Sequence, residues 1–205
     1  MTFVLATHNL HKQEELRHIL QAQLGRVVEI LTLDTIQPPI GDIKETGTTL
    51  EENALIKARA VFEQTKIPTV ADDTGLEVFA LDGAPGVYSA RYSGEGATYQ
   101  SNIQKLLKEL GGNPDRRATF VSVIAFIDAK GTEHLFRGEV RGRIGWHARG
   151  SNGFGYDPIF IPEDGTKTFA QMTEEEKNAV SHRGRAMGKF VSFLIDRKPI
   201  SAAAL

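Results

Sequence analysis

Two adjacent carboxylates, Asp72 and Asp73, follow the apolar pair Val70 and Ala71 in the stretch TVADDTGLEV and run directly into Thr74 and Gly75. The apolar lead-in reads as a strand ending at Asp72, with Thr74 and Gly75 as the turn that follows. Successive strand residues point to opposite faces, but at a strand-to-turn junction both carboxylates can face one space. Two ionised acids held that close require a cation. Magnesium takes oxygen ligands, keeps several waters and is held by one or two carboxylates together with substrate phosphates, which suits a short acidic pair. A solvated acidic turn without any ligand is the alternative at this point.

Three further groups could join such chemistry. ATHNLHK, residues 6–12, precedes a helix and offers Thr7 and Asn9 as polar donors and Lys12 as a cation. Free N–H groups and the helix dipole draw phosphate to such a helix start. The segment lacks the glycine spacing of a P-loop or a dinucleotide fingerprint, and helix capping by Thr7 or Asn9 explains it as well. GSNGFGYDP, residues 150–158, sets Phe154 between glycines and follows it with Tyr156 and Asp157. Glycine allows close backbone approach to a ligand, and the Phe154 ring either stacks on a base or anchors the loop in the core. SHRG, residues 181–184, with Lys177 one helical turn earlier, gathers three potential cations. They can read carbonyl or phosphate oxygens, or form a solvated helix end.

These groups need elements to position them. TFVLAT, residues 2–7, reads as a buried strand, and residues 9–24 carry Leu16, Ile19, Leu20 and Leu24 at helical spacing. VVEILTL, residues 27–33, is a second strand, followed by a long Pro- and Gly-broken loop over 34–49. Thr49 and Glu52 form a capping box for a helix over 49–65 with Leu55, Ala58 and Phe62 on its apolar face. A glycine-rich loop over 82–96 leads to a helix over 98–112 with Ile103, Leu106, Leu107 and Leu110 inward. ATFVSVIAFID and EHLFRGEVRGRIGW read as an antiparallel hairpin across AKGT, the arginines on its wet face. Thr173 and Glu176 cap EEEKNAVSHRG, and RAMGKFVSFLID supplies a last amphipathic helix. The pattern is one α/β chain on a central mixed sheet.

Composition narrows the function classes. A chain of 205 residues can bury roughly 70% of its unfolded surface without staples. The absence of cysteine excludes disulfides, thiolate metal sites and cysteine nucleophiles and suits a reducing compartment, so a cytoplasmic location is expected. A net charge of -2 gives no global attraction to nucleic acid or anionic membrane, and no stretch has the length of a membrane span. Binding of a polyanion must therefore come from a local cluster.

The segments occur in the order of a known family. The sequence resembles the inosine triphosphate pyrophosphatase (dITP/XTP pyrophosphatase, Ham1-like) family in ATHNLHK, KETGTTLEENALIKA, ADDTGLEV, GAPGVYSARYSG, GFGYDPIF and EEKNAVSHRG, spanning Thr7 to Arg183. The resemblance implies an α/β fold with a long twisted mixed β-sheet flanked by helices, in two lobes around a nucleotide cleft, residues 1–205 forming a single domain. It implies magnesium-dependent hydrolysis of ITP, dITP or XTP to the monophosphate and pyrophosphate, cleansing the nucleotide pool, with at least one Mg2+ per subunit and a homodimer. Carried over residue by residue, Thr7, His8, Asn9, Leu10, His11 and Lys12 contact the phosphates. Glu45, Asp72 and Asp73 form the acidic metal region, with Asp73 the proton acceptor and Thr74 beside the substrate. Phe154, Gly155, Tyr156, Asp157, Lys177, His182 and Arg183 hold the base and sugar. His8 stands where the family usually has a small residue, and Thr74 where it usually has serine. A pyrophosphatase for pyrimidine or modified nucleotides, a nucleotide-binding regulator without turnover and a nucleic-acid-binding module are the competing readings.

Overall fold

A computed structural model describes residues 1–24 and 28–197. Its strands are β1 (Thr2–Leu5), β2 (Glu29–Thr32), β3 (Thr69–Val78), β4 (Pro85–Gly86), β5 (Arg117–Ile127), β6 (Glu133–Ile144) and β7 (Phe160–Pro162). Its helices among the described residues are α1 (Leu10–Leu24), α2 (Leu50–Thr65), α3 (Tyr99–Leu110), α4 (Glu174–Val180) and α5 (His182–Asp196). The strands form one seven-stranded sheet in the order β2-β1-β3-β5-β6-β7, with β4 paired to β3. Pairing is parallel across β2, β1 and β3, where helices α1 and α2 return the chain, and antiparallel from β3 through β7. Val27, the first residue of the expected second strand, lies outside the described residues.

Strand alternation divides the core. On one face Val4, Ala71, Val121 and Val123 pack against Leu50, Ala54, Ala58 and Val61 of α2. On the other, Phe3, Leu5, Val70 and Ile124 pack against Leu16 and Leu20 of α1 and Met187 and Phe190 of α5. A third cluster joins Leu76, Val78, Phe120 and Phe160 to Leu106 and Leu110 of α3. The Thr49/Glu52 and Thr173/Glu176 capping boxes form as read, and Thr98 caps α3 in the same way with Ser101. Among the described residues no helix is long and apolar enough to cross a membrane.

Three local expectations are corrected. β3 does not stop at Asp72 but continues through Thr74 and Gly75 to Val78. Gly75 sits inside the strand because β4 crosses closely: a Cβ there would lie 2.7 Å from the Gly86 carbonyl oxygen. The buried face of α2 carries Leu50, Asn53, Ala54, Lys57, Ala58 and Val61, with Leu55 and Phe62 only partly buried. The SHRG segment does not finish a helix. Ser181 ends α4 and accepts the Gly184 N–H at 3.0 Å, so His182 and Arg183 open α5.

Gly138 of β6 lets the start of α5 approach the sheet, since a Cβ there would stand 2.2 Å from the His182 carbonyl oxygen and 2.4 Å from the Ala186 nitrogen. Both atoms are backbone and cannot rotate away. Gly138→Ala is therefore expected to destabilise the fold by about 1–3 kcal/mol, read by denaturant unfolding; an unchanged midpoint would show that α5 can move without loss.

Candidate active site

A cleft of about 330 Å³ is lined by Thr7, His8, Asn9 and Lys12 after β1, by Glu45 of the long loop, by Asp73 and Thr74 of β3, by Phe154 to Asp157, and by Lys177, His182 and Arg183. Asp72 and Asp73 lie in mid-strand, opposite Ile124 and Val123 of β5. Alternation sends their carboxylates to opposite faces. The expected convergence on one space at a turn is thus corrected: Asp73 lines the cleft and Asp72 does not.

Asp72 belongs to a buried chain of ion pairs. Its Oδ2 accepts from Arg183 Nη2 at 3.1 Å and Thr74 Oγ1 at 3.0 Å, and Lys12 Nζ lies 3.2 Å from Oδ1 without hydrogen-bond alignment. Arg183 Nη1 donates to Glu15, and Lys177 Nζ lies 2.7 Å from Glu15 Oε1 and 2.8 Å from Asp157 Oδ2. On the α2 face, Lys57 Nζ donates to Asp73 Oδ1 at 2.9 Å and Glu45 Oε1 at 2.7 Å, and Arg91 Nη1 reaches Glu45 Oε2 at 3.2 Å. Among the described residues, Asp73 Oδ2 is buried and has no hydrogen-bond partner.

These surroundings separate the two aspartates electrostatically. Burial works to raise the Asp72 carboxyl, but Lys12, Arg183 and Lys57 overcome it and hold Asp72 well below the usual carboxylate range. At Asp73 burial prevails over Lys57 and Lys12, with Glu45 adding like charge, and its pKa is raised. Glu15 is depressed because Arg183 and Lys177 outweigh its burial. Burial, reinforced by Arg183 and Lys177, pushes the His182 imidazole well below its ordinary value, so it is neutral at pH 7.

The segments singled out in sequence contribute unequally. Asn9 caps α1 by accepting the Lys12 N–H at 3.2 Å, and its amide donates to Tyr99 Oη at 3.2 Å. Thr7 Oγ1 accepts the Asn9 N–H at 3.1 Å. Exposed His8 lines the cleft, whereas Leu10, 65% exposed, and His11 lie off it. The His11 ring stacks on Phe154 at 5.3 Å. Gly153 and Gly155, at φ 70° and 60°, bend the loop around Phe154, whose N–H donates to Asp157 Oδ2 at 2.8 Å. Lys177 Nζ and the Arg183 guanidinium stand 5.1 and 5.4 Å from the Phe154 ring centre. Tyr156 lies in the third core cluster with its hydroxyl on the Ser89 carbonyl at 3.0 Å. His182 stacks on Phe120 at 4.2 Å and 2°, and neither ring nitrogen has a hydrogen-bond partner among the described residues.

Sequence reasoning missed Lys57, Glu15 and Arg91. Lys57 left one signal, a lone cation among Leu50, Ala54, Ala58 and Val61 on the buried face of α2. Glu15 likewise interrupts the buried face of α1 beside Leu16. Among the described residues no three acidic or imidazole groups converge into a metal cage. Glu45 and the unpartnered oxygen of Asp73 nevertheless share the cleft. They fit a hard divalent ion that draws its remaining ligands from water and substrate.

A sequence model of the Ham1 family matches residues 3–193. The dITP/XTP pyrophosphatase of Porphyromonas gingivalis is 50% identical over 196 residues, covering 95% of this chain and 98% of that protein. The protein of the same name from Thermoanaerobacter pseudethanolicus is 47% identical over 199 residues, covering 96% and 98%. The solved Ham1 protein of Staphylococcus aureus has a TM-score of 0.85 at 40% identity, covering 97% of this chain and 100% of that one. A HAM1 protein from Coxiella burnetii has a TM-score of 0.86 at 39% identity, covering 96% and 99%.

Glu15→Gln would leave buried Lys177 with Asp157 alone and buried Arg183 with Asp72 alone, one positive charge of the network uncompensated. The expected loss is about 3–5 kcal/mol of unfolding free energy at pH 7. Because the folded pKa of Glu15 is depressed, its contribution is complete above the unfolded value of roughly 4.3 and is lost as pH falls through the lower folded value. The gap between wild type and variant should close in that acid window, as followed by urea unfolding across pH; a gap independent of pH would refute the charge origin.

Proposed function

The chain belongs to the Ham1 family, and from that premise we propose that it is a nucleoside-triphosphate pyrophosphatase hydrolysing ITP, dITP and XTP to the monophosphate and pyrophosphate. One observation carries the mechanism: Asp73 offers a buried, unpartnered carboxylate oxygen beside a cleft lined by Lys12 and Lys57. In the metal-free protein burial raises its pKa, the direction that favours a proton acceptor. Without ligand, Lys57 holds the other oxygen, which leaves this one as the unpartnered atom. A water held there yields its proton to the Asp73 carboxylate and attacks phosphorus, displacing pyrophosphate. No covalent intermediate is required.

Lys12 and the N-terminal N–H groups of α1 hold the phosphates and offset charge on the departing pyrophosphate. Glu45 and Asp73 are the residues to hold Mg2+, which supplies polarisation of the phosphoryl group when bound. Asp72, surrounded by cations, positions Lys12 and Arg183. Phe154 provides a surface for the purine, and the neutral His182 ring donates to the 6-oxygen of hypoxanthine or xanthine. The positive charges of Lys177 and Arg183 nearby favour a carbonyl there over the amino group of adenine. The donors of Arg183 are largely engaged by Asp72, Glu15 and Thr74, which shifts base reading from Arg183 toward His182. By the same family premise the chain acts as a homodimer, each subunit one domain of two lobes, and the absence of cysteine suits a cytoplasmic location.

A panel of nucleoside triphosphates with Mg2+, scored for pyrophosphate against orthophosphate, tests the reading. ITP, dITP and XTP should outperform ATP and yield pyrophosphate; primary release of orthophosphate with a diphosphate would overturn it. Asp73→Asn, which keeps the shape but cannot take the proton, should lower kcat by roughly 10²- to 10⁴-fold with ITP binding retained, and near-wild-type turnover would remove Asp73 as the base.

A further inference from the structure

Lys57 lies between the two carboxylates assigned to the metal. Its Nζ is 2.7 Å from Glu45 Oε1 and 2.9 Å from Asp73 Oδ1, while Arg91 Nη1 lies 3.2 Å from Glu45 Oε2. Two carboxylates thus face two cations, and this part of the cleft is formally neutral. Lys57 is buried, its stem laid along the core-facing side of α2, and it lines the cleft between the two carboxylates. A divalent ion approaching alone meets a fixed positive charge between its own ligands, and at partly buried separations of a few ångströms that repulsion is large. An ion arriving on a triphosphate brings anionic oxygens that can receive Lys57, Arg91 and Lys12 in exchange.

We propose that Lys57 is a resident counter-cation that makes metal binding conditional on nucleotide. Glu45 and Asp73 take the ion as its triphosphate complex, and Lys57 turns its hydrogen bonds from the carboxylates to phosphate oxygens. By linkage, nucleotide raises metal affinity by the same factor that metal raises nucleotide affinity. The inference rests on the pyrophosphatase reading for the identity of the ligand, but its test requires no turnover.

Binding of Mn2+ without nucleotide, followed by the electron paramagnetic resonance signal of the free ion, measures it directly. The wild type should bind weakly, and Lys57→Met should bind at least about tenfold more tightly because the competing charge is gone. Arg91→Gln, at a half-exposed position, should gain about two- to threefold. Mn2+ should also raise the Tm of Lys57→Met more than that of wild type. Equal or weaker Mn2+ binding by Lys57→Met would overturn the proposal. If that variant fails to fold, Arg91→Gln decides, and no gain there overturns it as well. Either failure can occur while ITP still yields pyrophosphate, so it is distinguishable from failure of the functional reading.

Discussion

Adjacent acids in the middle of a sheet make their closest ion pairs with different cations, because strand alternation sends their carboxylates to opposite faces. Asp72 and Asp73 on β3 are under this constraint, and each face supplies its own contact partners. Lys12 and Arg183, from the starts of α1 and α5, meet Asp72, and Lys57 from the middle of α2 meets Asp73. The helices that cover the sheet are therefore also those that carry the charges, and the cleft forms where their cation-bearing segments gather around β3.

Such a network is not primarily a source of net stability, since desolvating paired charges offsets much of their attraction. Its consequence is positional. Glu15 holds Lys177 and Arg183 together beneath Phe154, and Asp157 ties Lys177 to the backbone of the same loop. Two residues of one chemical type then acquire two roles, as happens when environments drive neighbouring pKa values apart. Asp72, flanked by Lys12 and Arg183, stays ionised and structural, while Asp73, which lines the cleft, keeps one oxygen without a hydrogen-bond partner among the described residues.

Local signals in the sequence account for much of this. The capping boxes at Thr49 and Thr173 and the hairpin over AKGT depend on residues a few positions apart, so they were legible, as were the Ham1-like segments themselves. What was not legible depends on distant partners. Gly75 reads as a turn until the Gly86 backbone is seen crossing it, and SHRG reads as a wet helix end until Ser181 is found starting a new, buried helix. Glu15 meets Arg183 across 168 residues, and Lys57 meets Asp73 across 16, at spacings that no local rule anticipates.

The central claim is that the two neighbouring aspartates differ in carboxyl pKa, in opposite directions from the ordinary value, because they occupy opposite faces. Carbon-13 NMR titration of aspartate-labelled, metal-free protein, with the two signals assigned through single asparagine variants, tests it most directly. The account predicts that the Asp73 carboxyl titrates above the ordinary aspartate value of roughly 3.9 while Asp72 stays ionised well below it. Titration of both at the ordinary value, or of Asp72 above Asp73, would contradict it.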